Sequence, residues 1–215
     1  MSGSARDEIM ARIKAATAAT RDSDPLSVWS KDRPASIRPQ LPGDVEASFR
    51  AKAATNLISI RDVGGIEGVP VAVAEILARA NLAPDISVSP TLRDLPWPRT
   101  VQVRDEKARV DEKLTVTRAV AGIAETGSVV LCSSKDAPSS LNYAPEIHVI
   151  VLDKADITAF LEDGLTKAKA AYDPWPRAVN LVSGPSRTAD VAGIVVRPAH
   201  GPKAVHVLLT SSAKT

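Results

Sequence analysis

The eight residues EIHVIVLD, Glu146 to Asp153, constrain this chain more than any other stretch. A strand with one wet face alternates apolar and polar residues. A nearly unbroken apolar run of strand length, rich in Val and Ile, belongs to a strand covered on both faces. Whatever surrounds this segment must therefore supply strands beside it and further layers above and below it.

The rest of the chain supplies them. EASFRAKAAT predicts a helix over 46–55, LISI a strand at 57–60, and VPVAVAEILARA a helix over 69–80. DISVS (85–89), TVQVR (100–104), LTVTRAV (114–120), SVVLC (128–132), AVNLVS (178–183) and AVHVLLT (204–210) read as further strands. ADITAFLEDGLTKAKAAY predicts one long helix over 155–172 despite Gly164. Strands alternating with helices give an α/β sheet covered on both faces, occupying 45–215. Ahead of it, residues 4–19 carry Ile9, Ile13 and Ala16 at helical spacing behind Ser4, Asp7 and Glu8. The proline-rich residues 20–44 continue as an extended arm with Leu26 and Trp29 as anchors. A helix and arm of this kind, 1–44, suits docking on a partner subunit or a tethered tail.

In such a sheet ligands bind beyond the carboxyl ends of strands, and the loops after residues 127, 145 and 183 are the expected places. Two of them carry conspicuous groups. SGPSRTAD, residues 183–190, follows one apolar run, and HGPK, 200–203, precedes the next. Pro185 behind Gly184 could open a helix whose free amides attract an anion. Ser183, Ser186 and Thr188 add hydroxyls, Arg187 a planar cationic fork, and Asp190 a partner for it. The alternative is ordinary turn chemistry ending in a surface arginine. Glu125, between the glycines of GIAETG, is a candidate base, nucleophile or partner for Arg187, or else a capping residue. His200 is a candidate general acid or base. Ser183, Gly184, Ser186, Arg187, Thr188 and Asp190 are thus the candidate binding residues, and Glu125 and His200 the candidate catalytic ones. His148 and His206 lie inside strands and read as structural. Cys132 reads as a buried, inert thiol, and LRDLPWP with Trp97 as a packed loop.

Charge and composition exclude several classes. Twenty-seven basic against 25 acidic residues leave a net charge of +2, too balanced for nucleic acid, and 3% aromatics offer no base-stacking platform. No run is long and apolar enough for a membrane span, and Asp7 and Glu8 interrupt any signal-like start. The expectation is a soluble cytoplasmic protein. One cysteine cannot build an iron–sulfur cluster, and His148, His200 and His206 have no metal-ligand spacing. No metal and no cofactor are expected in this chain, and the glycine-rich nucleotide motifs are absent.

GIAETGSVVL, EIHVIVLD and SGPSRTADVAGIVVRPAHGPKAVHVLL together resemble the LUD-domain family in its lactate-utilization branch, as do ARDEIMARIKAA and LPWP. Val191, Ala192, Pro198 and Ala199 depart from that family's usual residues, and Ser186, Arg187, Asp190 and His200 do not. The resemblance implies the three-layer α/β/α sandwich of the sugar-phosphate isomerase and CoA-transferase superfamily. It also implies a role in oxidising L-lactate to pyruvate beside partner subunits that carry iron–sulfur clusters. Lactate, pyruvate or a phosphorylated cofactor would be the small anionic ligand. Two other readings stay open: a free-standing enzyme on a phosphorylated or CoA-linked substrate with Glu125 as base or nucleophile, and a non-catalytic scaffold whose arm docks redox subunits.

Overall fold

The structure, a computed structural model, describes residues 5–18, 38, 40–41, 43–104, 108–109, 111–189, 195–196 and 201–211. Chain contacts divide it into two units, Met1–Pro39 and Gln40–Thr215. In the first, helix α1 (Ala5–Ala18) stands where helical spacing predicted one, with Ile9 and Met10 exposed. Most of the proposed arm lies outside the described residues.

The second unit is built on six strands: β1 (Ile58–Asp62), β2 (Asp85–Val88), β3 (Gln102–Arg104), β4 (Leu114–Arg118), β7 (Ile147–Asp153) and β12 (Ala204–Thr210). They pair in the order β1-β12-β7-β4-β2-β3, and every pairing is parallel. EIHVIVLD is β7, between β12 and β4, and its apolar run is explained by its two faces. Val149 and Val151 point to one core with Val116 and Leu208, closed by Val69, Ala72, Val73 and Leu77 of α3 (Val69–Ala80). Ile150 and Leu152 point to the other with Val207 and Leu209, closed by Phe49 and Ala53 of α2 (Val45–Thr55). Burying a side chain the size of Phe49 contributes roughly 1.5–3 kcal/mol.

The sandwich expected from the sequence is therefore present, a mainly parallel sheet flanked by helices, with one elaboration. On the α2 face a second sheet intervenes, ordered β8 (Ile157–Thr158), β5 (Ala121–Ile123), β6 (Ser128–Cys132), β9 (Val179–Val182). Helix α5 (Leu161–Ala171) covers it, burying Ala168 against Ala121, Ile123 and Val130. A short helix, α4 (Ser140–Tyr143), precedes β7.

Two expectations are corrected. The single helix over 155–172 is three elements: a 3-10 turn at Lys154–Asp156, then β8, then α5. Ile157 and Thr158 are β-branched and pair with Gly122 and Ile123, and the Thr158 hydroxyl donates to the Gly122 carbonyl at 2.9 Å, so sheet pairing displaces the first helical turns. Nor does a helix open at Pro185. Gly184 turns the chain at φ 110°, and Thr188–Ala189 form β10, paired with β11 (Val195–Val196). A left-handed glycine followed by a hairpin leaves no row of free helical amides.

Candidate functional site

All six central strands run the same way, so their carboxyl ends share one edge. A cavity of about 740 Å³ opens there, between the ends of β2 and β4 and the last residues of β6 and α5. Ser89, Thr117, Arg118, Cys132, Asn142 and Lys167 are among its lining residues. Ser89 is fixed by the sheet itself, its amide donating to the Val116 carbonyl at 2.8 Å. Its hydroxyl is buried and has no hydrogen-bond partner among the described residues.

Thr117 shares a hydrogen bond of 2.7 Å with Nε2 of His148 on β7. His148 is fully buried, and burial alone pushes its pKa down to about 3, because an imidazolium there would lose its hydration. The ring is neutral at ordinary pH, and its Nδ1 has no partner. The reading of His148 as a strand histidine holds, and its ring also supports a cavity-lining hydroxyl.

The cations near this edge are mostly neutralised by their own neighbours. Lys167 reaches Asp156 at 2.6 Å and the Ala155 carbonyl at 3.2 Å. Arg50 and Lys154 both bridge Glu46 and Asp62, a closed cluster that holds both carboxylates below their usual range, the Arg50 hydrogen bond being the largest cause. Arg118 is different: it is exposed and forms no ion pair with any described residue. It also borders a neighbouring cavity of about 550 Å³ lined by Gly64, Gly65, Asp153 and Thr210, at the ends of β1, β7 and β12. Cys132 faces the main cavity half-buried, and burial raises its thiol pKa, as the inert reading requires.

The loops singled out in the sequence lie elsewhere. Residue 127 ends the turn between β5 and β6, residue 145 precedes β7, and the segment after 183 follows β9, so none of the three follows the carboxyl end of a central strand. These segments meet beside the amino ends of β1 and β12. Asn56, just before β1, donates from Nδ2 to the Thr126 carbonyl at 2.8 Å, and a Cβ on Gly184 would overlap the Asn56 carbonyl. Ser183 and Ser128 share a 2.6 Å hydrogen bond, and the Ser186 amide donates to Pro202 at 2.8 Å. Ser186 is thus brought against Gly201 and Pro202. Glu125 accepts a long 3.4 Å hydrogen bond from the Leu161 amide, at the first residue of α5. Arg187 is exposed, with no ion pair among the described residues. Of Thr188 only the β10 backbone is described, and Asp190 and His200 lie outside the described residues.

Ser89, Thr117 and Arg118 drew no notice in the sequence because each ends or interrupts an unremarkable strand. The available signal was positional: they are polar residues at the last turn of DISVS and LTVTR. Among the described residues no group of three or more His, Cys, Asp or Glu could hold a metal ion, and no helix is long and apolar enough to cross a membrane.

Comparison with known proteins agrees with this architecture. A crystal structure of a DUF162 family protein from Deinococcus radiodurans superposes with a TM-score of 0.61 at 20% identity, covering 79% of this chain and 99% of that one, which bears on the fold. Uncharacterized protein YkgG of Escherichia coli is 38% identical over 101 residues, 45% of this chain and 44% of that protein. A protein of Bacillus licheniformis named lactate utilization protein C is 32% identical over 119 residues, 53% of this chain and 50% of that one. Its Bacillus subtilis namesake is 33% identical over 92 residues, 41% of this chain and 38% of that one. The chain spans about half the length of the curated relatives it matches, or somewhat less. The family model of the LUD domain matches residues 57–210. The chain belongs to the LUD-domain family.

Proposed function

We propose that this chain serves in lactate utilization as a ligand-binding subunit, working with partner proteins that carry iron–sulfur clusters. The relatives named lactate utilization protein C support the pathway. The observation that carries the ligand-binding part is Arg118, a guanidinium without an ion pair among the described residues, beside a cavity at the carboxyl edge of a parallel sheet. A free guanidinium at such an edge suits the carboxylate of lactate or pyruvate. We prefer this position to the Ser183–Asp190 segment because Ser183 is already bonded to Ser128, whereas Arg118, exposed like Arg187, borders two cavities. Electron transfer falls to the partners because the 215 residues contain one cysteine, and a cluster takes about four thiolates.

The test is anaerobic purification of the tagged chain from its native host grown on L-lactate. The expected result is co-elution with proteins bearing iron and acid-labile sulfide, and loss of growth on L-lactate when the gene is deleted. Recovery of the chain alone, with undiminished growth of the deletion strain, contradicts the reading.

A second reading is favoured by the cavity's size, since about 740 Å³ exceeds what a three-carbon acid fills. In it the chain is an enzyme acting alone on a phosphorylated or CoA-linked substrate. Turnover of such a substrate by the isolated chain would select this reading.

A further inference from the structure

We infer that Ser89, Thr117 and Arg118 form one oxyanion-binding site, with the buried ring of His148 positioning the Thr117 hydroxyl to donate into it. The inference rests on the reading of the carboxyl-edge cavity as the ligand site, and it names the residues and the ligand chemistry. Strand register sets Ser89 beside Thr117, since Val88 pairs with Val116 and the Ser89 amide bonds the Val116 carbonyl, and Arg118 follows as the last residue of β4. All three line the cavity.

Two hydroxyls at this edge are left to donate. The Ser89 hydroxyl is buried without a partner, a costly arrangement in a protein interior unless something else completes it. For Thr117 the answer depends on the tautomer of His148. One ring nitrogen of a neutral imidazole carries hydrogen, and here only Nε2 has a partner. Each tautomer leaves one donor unmet: hydrogen on Nδ1 orphans a fully buried N–H, whereas hydrogen on Nε2 releases the Thr117 O–H, which lines the cavity and can be met there by a ligand. The hydrogen therefore sits on Nε2 and is donated to the Thr117 oxygen. That leaves the Thr117 O–H without an acceptor among the described residues and free to donate to a ligand. Two hydroxyl donors beside an unpaired guanidinium recognise an oxyanion, a carboxylate or a phosphate.

The experiment is calorimetric titration of the 215-residue chain with L-lactate, pyruvate and inorganic phosphate, for wild type, Ser89→Ala, Thr117→Val, Thr117→Ser and Arg118→Ala. Thermal midpoints without ligand establish that each variant is folded. Ser89→Ala is expected to raise the midpoint, by removing a buried unpaired hydroxyl, while weakening oxyanion binding about five- to tenfold. Effects of opposite sign from one deletion identify a hydroxyl held for a ligand. Thr117→Val should weaken binding by a similar factor and Thr117→Ser should restore it. Arg118→Ala should cost about ten- to a hundredfold. Nitrogen-15 spectra of histidine-labelled protein should show His148 neutral with hydrogen on Nε2.

A wild type that binds none of the three probes at millimolar concentration overturns the proposal. So does binding that is unchanged in Ser89→Ala and Arg118→Ala, or a His148 ring protonated on Nδ1. Phosphate binding lost in Arg118→Ala, with no response to lactate or pyruvate, keeps the oxyanion site and removes the lactate reading. The reverse selectivity supports both.

Discussion

At the amino edge of the parallel sheet, hydroxyls and glycines are consumed by the fold. Ser183 and Ser128 satisfy each other, and Gly127 and Gly184 take left-handed conformations that press backbone against the end of α2. At the carboxyl edge, Ser89 has a buried hydroxyl with no partner, and Arg118 has no counter-ion among the described residues. The first edge is conspicuous in sequence because tight turns demand Gly, Pro and Ser in a row. The second is inconspicuous because each strand contributes one or two residues. A cluster of polar residues in sequence need not be a site, and a site need not be a cluster in sequence.

The largest expected effect breaks the amino edge. Gly184→Ala puts a Cβ into the Asn56 carbonyl at a φ that suits glycine, and should destabilise the protein by roughly 3 kcal/mol. Chemical denaturation measures it. A change under about 0.5 kcal/mol would mean the contact is not tight, and the contrast between the edges would fail.

The next concerns His148. Its pKa is about 3 in the fold against 6.5 for the ordinary ring. Between those values the unfolded chain holds a proton that the folded chain refuses. Stability is therefore fully present above pH 6.5 and declines as pH falls, by about 1.4 kcal/mol per unit. His206, also pushed down by burial, adds to the same slope. Unfolding measured between pH 7 and 5, above the range where the lowered carboxylates Glu46 and Asp62 titrate, isolates the histidines. Flat stability across that interval would mean that His148 is not a buried neutral ring.

Smaller still is Glu125→Ala. If the carboxylate only receives the Leu161 amide at the start of α5, the loss is about 0.5–1 kcal/mol of stability, without effect on ligand binding. A large loss of binding or turnover with unchanged stability would return Glu125 to a chemical role.

These contrasts also show what could be read from residues alone. β7 was legible because burial on both faces leaves nothing polar to interrupt it, and α2 and α3 because their apolar spacing matches the faces they bury. The break in the helix at 155–172 was not, because Ile157 and Thr158 fit a helical pattern until Gly122 and Ile123 offer them a strand partner. The turn at Gly184 was not legible, since Gly-Pro begins helices as readily as it ends strands, and the course of the chain follows from contacts distant in sequence such as Ser186 with Pro202. Arg118 and Ser89 were invisible as a pair, 29 residues apart and joined only by the register of β2 with β4.

The claim that the anion binds at the carboxyl edge is tested most directly by titrating Arg118→Ala and Arg187→Ala side by side against the ligand that wild type binds best among lactate, pyruvate and phosphate. Both arginines are exposed, so each substitution should change stability by no more than about 0.5 kcal/mol. The account predicts that Arg118→Ala loses about one to two orders of magnitude in affinity while Arg187→Ala titrates like wild type. Loss of binding in Arg187→Ala, with Arg118→Ala unchanged, would contradict it and move the site to the amino edge.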